Sequence, residues 1–163
     1  MKVKSGAVAI IVLLVIFGSV VITSYLGNWT TAGDRIPAKY TQGDAVGQAD
    51  PSDIRGSFSF GDIETAFGIP APELAAAFGM KESANPAGIQ VKEVEARYSS
   101  AAAQGKEVGT NSVRVFVAMY KNLPIELTDT TYLPRPAVEI LKQKASLSAE
   151  QLRFLDQHTV DIP

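Results

Sequence analysis

An apolar run without a single charge extends from Gly6 to Leu26 in this chain of 163 residues. At about 1.5 Å per helical residue, it would span roughly 30 Å, the thickness of the hydrocarbon core of a bilayer. It is longer than the apolar segment of a cleaved signal peptide, and no clear cleavage site with small residues follows it. The run therefore predicts one uncleaved transmembrane helix over residues 6–26.

The charges around this run predict its orientation. Lys2 and Lys4 precede it with no acid beside them, whereas the basic residues that follow it stand farther away, among acids. Because short cytoplasmic flanks are enriched in lysine and arginine, residues 1–5 are predicted to be cytoplasmic. The body is then extracytoplasmic, and the chain is predicted to be a single-pass protein of the cell (inner) membrane, with residues 6–26 in contact with lipid.

Beyond the run, composition divides the chain into a predicted linker over residues 27–53 and a small helical domain over residues 54–163. The linker is rich in Gly, Ala, Thr, Asp and Gln and has no sustained apolar period. The chain has no cysteine, which excludes disulfides, thiolate zinc sites and cysteine-ligated iron–sulfur clusters. Its net charge of −2 includes both N-terminal lysines, so the body is more acidic still, which argues against nucleic acid as a partner.

The domain opens with a predicted helix–turn–helix. Ser59 and Asp62 have the spacing of a capping box, and Gly68 suits the left-handed residue that ends a helix. Pro72 suits the first turn of a second helix, which Gly79 ends. That second helix offers no basic or amide side chain to read a base, so we interpret the motif as a packing module rather than a DNA-binding one.

Helical spacing continues through most of the remaining chain. An amphipathic helix is predicted from Ile89 toward Ala103, followed by a buried segment that begins near Asn111, for which a helix is favoured over a strand. Two further helices are predicted to begin at Pro136 and after Ser148, the second with a capping box to Gln151. The segment 159–163 is expected to form no element. The predicted fold class is mainly α, a single N-terminal transmembrane helix plus a small helical domain.

Residues with catalytic potential have simpler structural explanations. The only histidine, His158, lies near the C-terminus and is predicted to end a helix, where a cation is favourable. The acid pairs Asp62 with Glu64 and Glu93 with Glu95 are two residues apart and do not share a helix face. The sequence therefore assigns no catalytic residue, no metal ligand and no cofactor, and predicts no enzymatic activity of its own.

Five residues are candidates for a protein interface, because arginine and aromatic side chains are enriched at interface hot spots. The alternative is that the rings fill the small core and the arginines are merely solvated. The candidates are Arg55, Phe58, Phe60, Tyr132 and Arg135.

The run from Asp53 to Ile63, followed by Phe67–Pro70 and Leu74, resembles a small uncharacterised helical module appended to bacterial membrane redox proteins of the cytochrome b-like and polyferredoxin kinds. The resemblance covers about 30 residues, mostly caps, turns and core positions. It implies an accessory role beside an electron-transfer partner, and it transfers no catalytic residue to this chain.

These observations predict a membrane-anchored accessory or assembly subunit of a membrane complex, respiratory in kind, that acts by protein–protein binding. Its expected partners are other subunits of that complex. Two alternatives stay open, an envelope enzyme with an unrecognised site and a self-assembling structural membrane protein. The enzyme would need a polar pocket of convergent side chains, and the structural protein would form a homo-oligomer without a foreign partner.

Overall fold

The computed structural model describes residues 35–163. Within these residues, no helix is both long enough and apolar enough to cross a bilayer. The predicted transmembrane helix over 6–26, the predicted cytoplasmic residues 1–5 and residues 27–34 of the predicted linker lie outside the described residues. The described residues belong to one compact unit, Arg35–Pro163.

Seven α-helices and one short sheet form the described part of the chain, which confirms the predicted mainly helical fold. The two strands of the sheet run parallel and pair Leu133 with Thr159 and Pro134 with Val160. The elements are α1 (Phe60–Phe67), α2 (Ala71–Ala77), α3 (Val91–Arg97), α4 (Ser99–Ala102), α5 (Thr110–Lys121), β1 (Leu133–Pro134), α6 (Arg135–Lys144), α7 (Ala149–Gln157) and β2 (Thr159–Val160). Pro51–Asp53 and Pro86–Gly88 form single 3-10 turns.

The first two helices form the predicted helix–turn–helix. The Ser59 hydroxyl accepts a hydrogen bond from the Asp62 N–H at 3.1 Å, and the Asp62 carboxylate accepts from the Ser59 N–H at 2.7 Å. This reciprocal pair is the predicted capping box, and it satisfies donors that the first turn of a helix leaves free. Gly68 then ends α1 in the left-handed conformation, with φ of 69°. The sequence signals for both ends of α1 are confirmed.

Helix α5 lies at the centre of the core and confirms the helical prediction for the segment near Asn111. Seven consecutive or near-consecutive residues from Ser112 to Met119 are buried along it. A chain of aromatic rings extends from α1 to α5, with centroids 6.3 Å apart for Phe60–Phe78 and 5.7 Å apart for Phe78–Phe116. Each such ring buries roughly 150–250 Å², so the chain of rings is a large part of the apolar area that stabilises the fold.

The helix predicted from Ile89 toward Ala103 is interrupted at Tyr98. There ψ is 20° instead of a helical value, and α3 ends one residue before the short helix α4 begins. The Tyr98 side chain is fully buried and its hydroxyl donates to the Phe78 carbonyl at 3.3 Å. Burying a tyrosine requires a partner for its hydroxyl, and this long-range bond accompanies the bend that a local apolar pattern does not encode.

From residue 35 onward, the predicted linker (27–53) is part of the folded body, which therefore begins upstream of the boundary expected at residue 54. Ala45 is buried in the core, and the Tyr40 hydroxyl donates to the Pro124 carbonyl at 2.6 Å. Burial, and then the charge of a nearby carboxylate, raise the pKa of Tyr40 to about 12. Turns, backbone hydrogen bonds and one tyrosine hold this segment in place. Because few apolar side chains are involved, the sequence shows no regular spacing of apolar residues that would predict folding here.

The C-terminal segment, expected to form no element, contributes β2. The Leu133 N–H donates to the His158 carbonyl at 2.8 Å, and the side chain of Val160 in β2 is buried. The neighbouring Tyr132 N–H donates to a different segment, because its acceptor is the Glu107 carbonyl at 2.8 Å. Three distant stretches of chain therefore meet at β1.

Candidate functional site

Two of the five predicted interface residues lie in the core. Phe58 and Phe60 are 1% and 0% exposed, and Phe60 contacts Phe78 across the helix–turn–helix. A partner cannot reach rings that are covered on all sides, so these two phenylalanines are corrected from interface to core residues. Large aromatic side chains are common both in protein cores and at interfaces, so the sequence alone could not decide between these two locations.

Arg55 is exposed and lies beside the folded part of the predicted linker. Its guanidinium contacts the Asp53 carboxylate at 2.9 Å, and the same carboxylate accepts from the Ala38 N–H at 2.9 Å. The bond from Ala38, and after it the bond from Arg55, lower the pKa of Asp53. Through Asp53, Arg55 therefore helps to hold the linker segment in place. It makes no described contact with Tyr132 or Arg135 among residues 35–163.

Tyr132 and Arg135 are brought together at the end of the sheet. The Tyr132 ring packs against the His158 ring with centroids 5.0 Å apart, and the Lys106 ammonium lies 5.7 Å from the centre of the tyrosine ring. A cation over an aromatic face is attracted by the negative potential of the ring. Residues from three separate stretches of chain therefore form one surface.

Arg135 extends the same surface through Asp161. Its Nε donates to Asp161 Oδ1 at 2.7 Å, and both side chains are largely exposed. The hydrogen bond, and then the charge of Arg135, lower the pKa of Asp161, and the more distant Lys106 acts in the same direction. We call the surface formed by Lys106, Tyr132, Arg135, His158 and Asp161 the C-terminal ledge.

His158 ends α7 as predicted and has a structural partner. Its ring stacks on Phe154 with centroids 4.2 Å apart and an angle of 11° between the planes. Its Nδ1 lies 2.9 Å from the Phe154 carbonyl oxygen, which can only accept, so Nδ1 carries a hydrogen in this contact. The ring therefore presents its other nitrogen, Nε2, away from this bond.

The sequence missed Lys106, His158 and Asp161 as members of this surface. Each comes from a loop or helix end whose partner is distant along the chain, and none belongs to a motif. The only signal was Tyr132 with Arg135, an aromatic and an arginine three residues apart before a helix. Elsewhere in the described residues, no group of three or more histidine, aspartate or glutamate side chains is placed to hold a metal ion.

No protein-family model, curated protein or solved structure matches this chain.

Proposed function

We propose that the chain is a membrane-anchored accessory or assembly subunit that binds another protein of a membrane complex through the C-terminal ledge. The observation that carries this proposal is the convergence of Tyr132 and Arg135 with Lys106 and His158 on one partly exposed surface. Tyrosine and arginine dominate the binding energy of known protein interfaces, because they combine large contact area with directed hydrogen bonds.

The ledge has the organisation of a binding surface. Tyr132 is half-buried between Lys106 and His158, so its ring is held in place before a partner arrives. A side chain that is already fixed loses little conformational entropy when it binds. Arg135 and Asp161 add exposed charges of both signs at the rim, where complementary charges select a partner and its orientation.

The membrane part of the proposal rests on the apolar run 6–26, which has the length and composition of a transmembrane helix. The respiratory part rests on the resemblance of the segment Asp53–Ile63 to modules found beside bacterial electron-transfer proteins. In this reading the redox groups belong to the partner, and this chain supplies contact and position.

The test is purification of the tagged, full-length protein from its native host in mild detergent, followed by mass spectrometry and a visible absorption spectrum. We expect other membrane subunits to co-purify, with haem or iron–sulfur absorbance. A colourless preparation that contains only this chain would contradict the proposal and favour a self-assembling protein.

Variants of the ledge identify the surface responsible. Arg135→Ala and Tyr132→Ala are each expected to reduce recovery of the partner about tenfold, the loss typical of a hot-spot residue. Arg153→Ala is the matched control, because Arg153 is also exposed but lies outside the ledge, and among residues 35–163 its one hydrogen bond is to the Ala149 carbonyl of its own helix. Equal recovery from all three variants would exclude the ledge as the binding surface.

A further inference from the structure

A cleft beside residues 107–112 shares no residue with the C-terminal ledge. It has a volume of about 430 Å³ and opens between α3, the loop before α5, and the first turns of α5. This volume is within the range of small-molecule sites, roughly 300–1,000 Å³. Its lining includes Glu95, Glu107, Gly109, Asn111, Ser112 and Arg114.

Charges of both signs line this cleft without neutralising each other. Arg114 contributes a guanidinium, and Glu95 and Glu107 contribute carboxylates. Among the described residues, the salt bridges involve other side chains, and none joins Arg114 to either glutamate. Side chains of both charge signs therefore line one volume that a small molecule can enter, and the charge of Arg114 also helps to lower the pKa of Asp53.

Arg114 is held in a fixed position. Its Nε donates to the Ile54 carbonyl at 2.8 Å, a bond between residues 60 positions apart. This bond uses one of the five N–H groups of the guanidinium, and no described residue accepts from its terminal nitrogens. Those nitrogens form the planar fork that binds a carboxylate through two parallel bonds.

Other polar side chains of the cleft are also held in place. The Asn111 amide donates to the Thr131 hydroxyl at 2.6 Å, and the Ser112 hydroxyl accepts from the Gly109 N–H at 3.1 Å. Gly109 lies next to Glu95, since a Cβ at Gly109 would be 3.4 Å from the Cβ of Glu95, an ordinary packing distance. A site whose polar groups are already positioned binds with a smaller entropic cost.

From this geometry we infer that the cleft binds a small zwitterion of the amino-acid or dipeptide class. Its carboxylate contacts the terminal nitrogens of Arg114, and its ammonium contacts Glu95 or Glu107. A ligand with only one of these charges satisfies only one side of the cleft. This inference does not depend on the C-terminal ledge or on the membrane anchor.

The test is calorimetric titration of the full-length protein in detergent with three probes that share one dipeptide backbone. The probes are L-alanyl-L-alanine, its N-acetyl derivative, which lacks the ammonium, and its amide, which lacks the carboxylate. We expect the zwitterion to bind roughly tenfold more tightly than either derivative, as a charge-assisted hydrogen bond predicts. No measurable binding of the zwitterion at about 10 mM, or equal affinity for all three probes, would overturn the inference.

Variants assign each charge to its side of the cleft. The double variant Glu95→Gln with Glu107→Gln should lose about tenfold in affinity for the zwitterion and the amide, but none for the N-acetyl probe. Both glutamates are exposed, so the fold should tolerate the change. Glu126→Gln is the control, being an exposed glutamate outside this cleft, and it should bind all probes like the parent. A double variant that binds the zwitterion like the parent would refute the assignment.

Arg114→Gln gives the complementary test, with loss of affinity for the zwitterion and the N-acetyl probe. Because Arg114 also bonds to the Ile54 carbonyl, the melting temperature of this variant protein must be measured alongside the titration. If this variant does not fold, the glutamate variants and the three probes still decide the result.

Discussion

Two serines begin helices α1 and α7 with the same pair of hydrogen bonds. The Ser59 and Ser148 hydroxyls accept from the N–H groups of Asp62 and Gln151, each at 3.1 Å. We expect Ser59→Ala and Ser148→Ala each to cost about 1 kcal/mol of unfolding free energy, because each leaves a first-turn donor without its partner. Thermal or urea unfolding of the full-length protein in detergent measures this.

Ser57→Ala is the control for both cap variants. Ser57 is exposed and precedes the cap of α1 without serving as one, so its replacement should change the unfolding free energy by less than about 0.5 kcal/mol. Equal stability of the cap variants and this control would show that the hydroxyl bonds contribute nothing measurable.

The Arg135–Asp161 pair should give the stability of the protein a dependence on acidic pH. Arg135 holds the pKa of Asp161 below its ordinary value of 3.8, so the unfolded chain binds this proton more readily than the folded one. The contribution of the pair is therefore complete above about pH 4 and is lost as the pH falls through the lower pKa of the folded state. Both groups are exposed, so the effect is small and should weaken in high salt.

Asp161→Asn measures this contribution directly. The difference in unfolding free energy between the parent and this variant should be present at pH 6 and should vanish below the pKa of the folded carboxyl. A difference that stays constant down to pH 2 would mean that the pair does not titrate as the geometry indicates.

At the scale of elements, the sequence predicted what is encoded locally. The start of α1 at Ser59, its end at Gly68, the burial of α5 and the cap of α7 at Ser148 each depend on residues within a few positions. Strand β2 and the break at Tyr98 depend on partners 20 or more residues away, Leu133 and Phe78. No local pattern reports such partners, so these features required the structure.

The same limit applies to the candidate sites. Phe58 and Phe60 stood out because they are aromatic, yet they lie in the core, while Lys106 and Asp161 joined the ledge without any sequence signal. The cleft likewise combines α3 with α5, and Arg114 is fixed by a carbonyl 60 residues earlier. The sequence shows which side chains could bind a partner or a ligand, but it does not show which of them lie together in the folded protein.

Strand β2 provides a test of how much a two-residue element stabilises. Val160 is 8% exposed, and Val160→Thr replaces a methyl group with a hydroxyl of nearly the same size. We expect a loss of about 1–3 kcal/mol, because the buried hydroxyl replaces apolar contact and must find a partner. Urea unfolding measures the loss, and faster hydrogen exchange at the Leu133 amide would show that the sheet is affected.

Val46→Thr is the matched control for this substitution. Val46 is 59% exposed, so the same chemical change there should alter the unfolding free energy by less than about 0.5 kcal/mol. Equal effects at the two positions would indicate that β2 is not packed in solution as it is here.

At the scale of the whole molecule, the folded body is larger than composition indicated, since it begins at residue 35 instead of 54. A Gly- and Asp-rich segment looks like a tether because it has no apolar stripe. Its backbone nevertheless finds partners, with the Tyr40 N–H donating to the Gln48 carbonyl at 3.0 Å.

The proposed membrane topology, with the N-terminus in the cytoplasm and the body outside it, can be tested with a reporter fusion. If Lys2 and Lys4 keep the N-terminus in the cytoplasm, alkaline phosphatase fused after Pro163 should be active in bacteria, because that enzyme folds only outside the cytoplasm. The double variant Lys2→Glu with Lys4→Glu removes the charge that sets the orientation, so it should lower this activity at equal expression. An inactive parent fusion, together with an active cytoplasmic reporter at the same position, would reverse the topology. In that case the ledge and the cleft would face the cytoplasm, and the partner would have to be sought there.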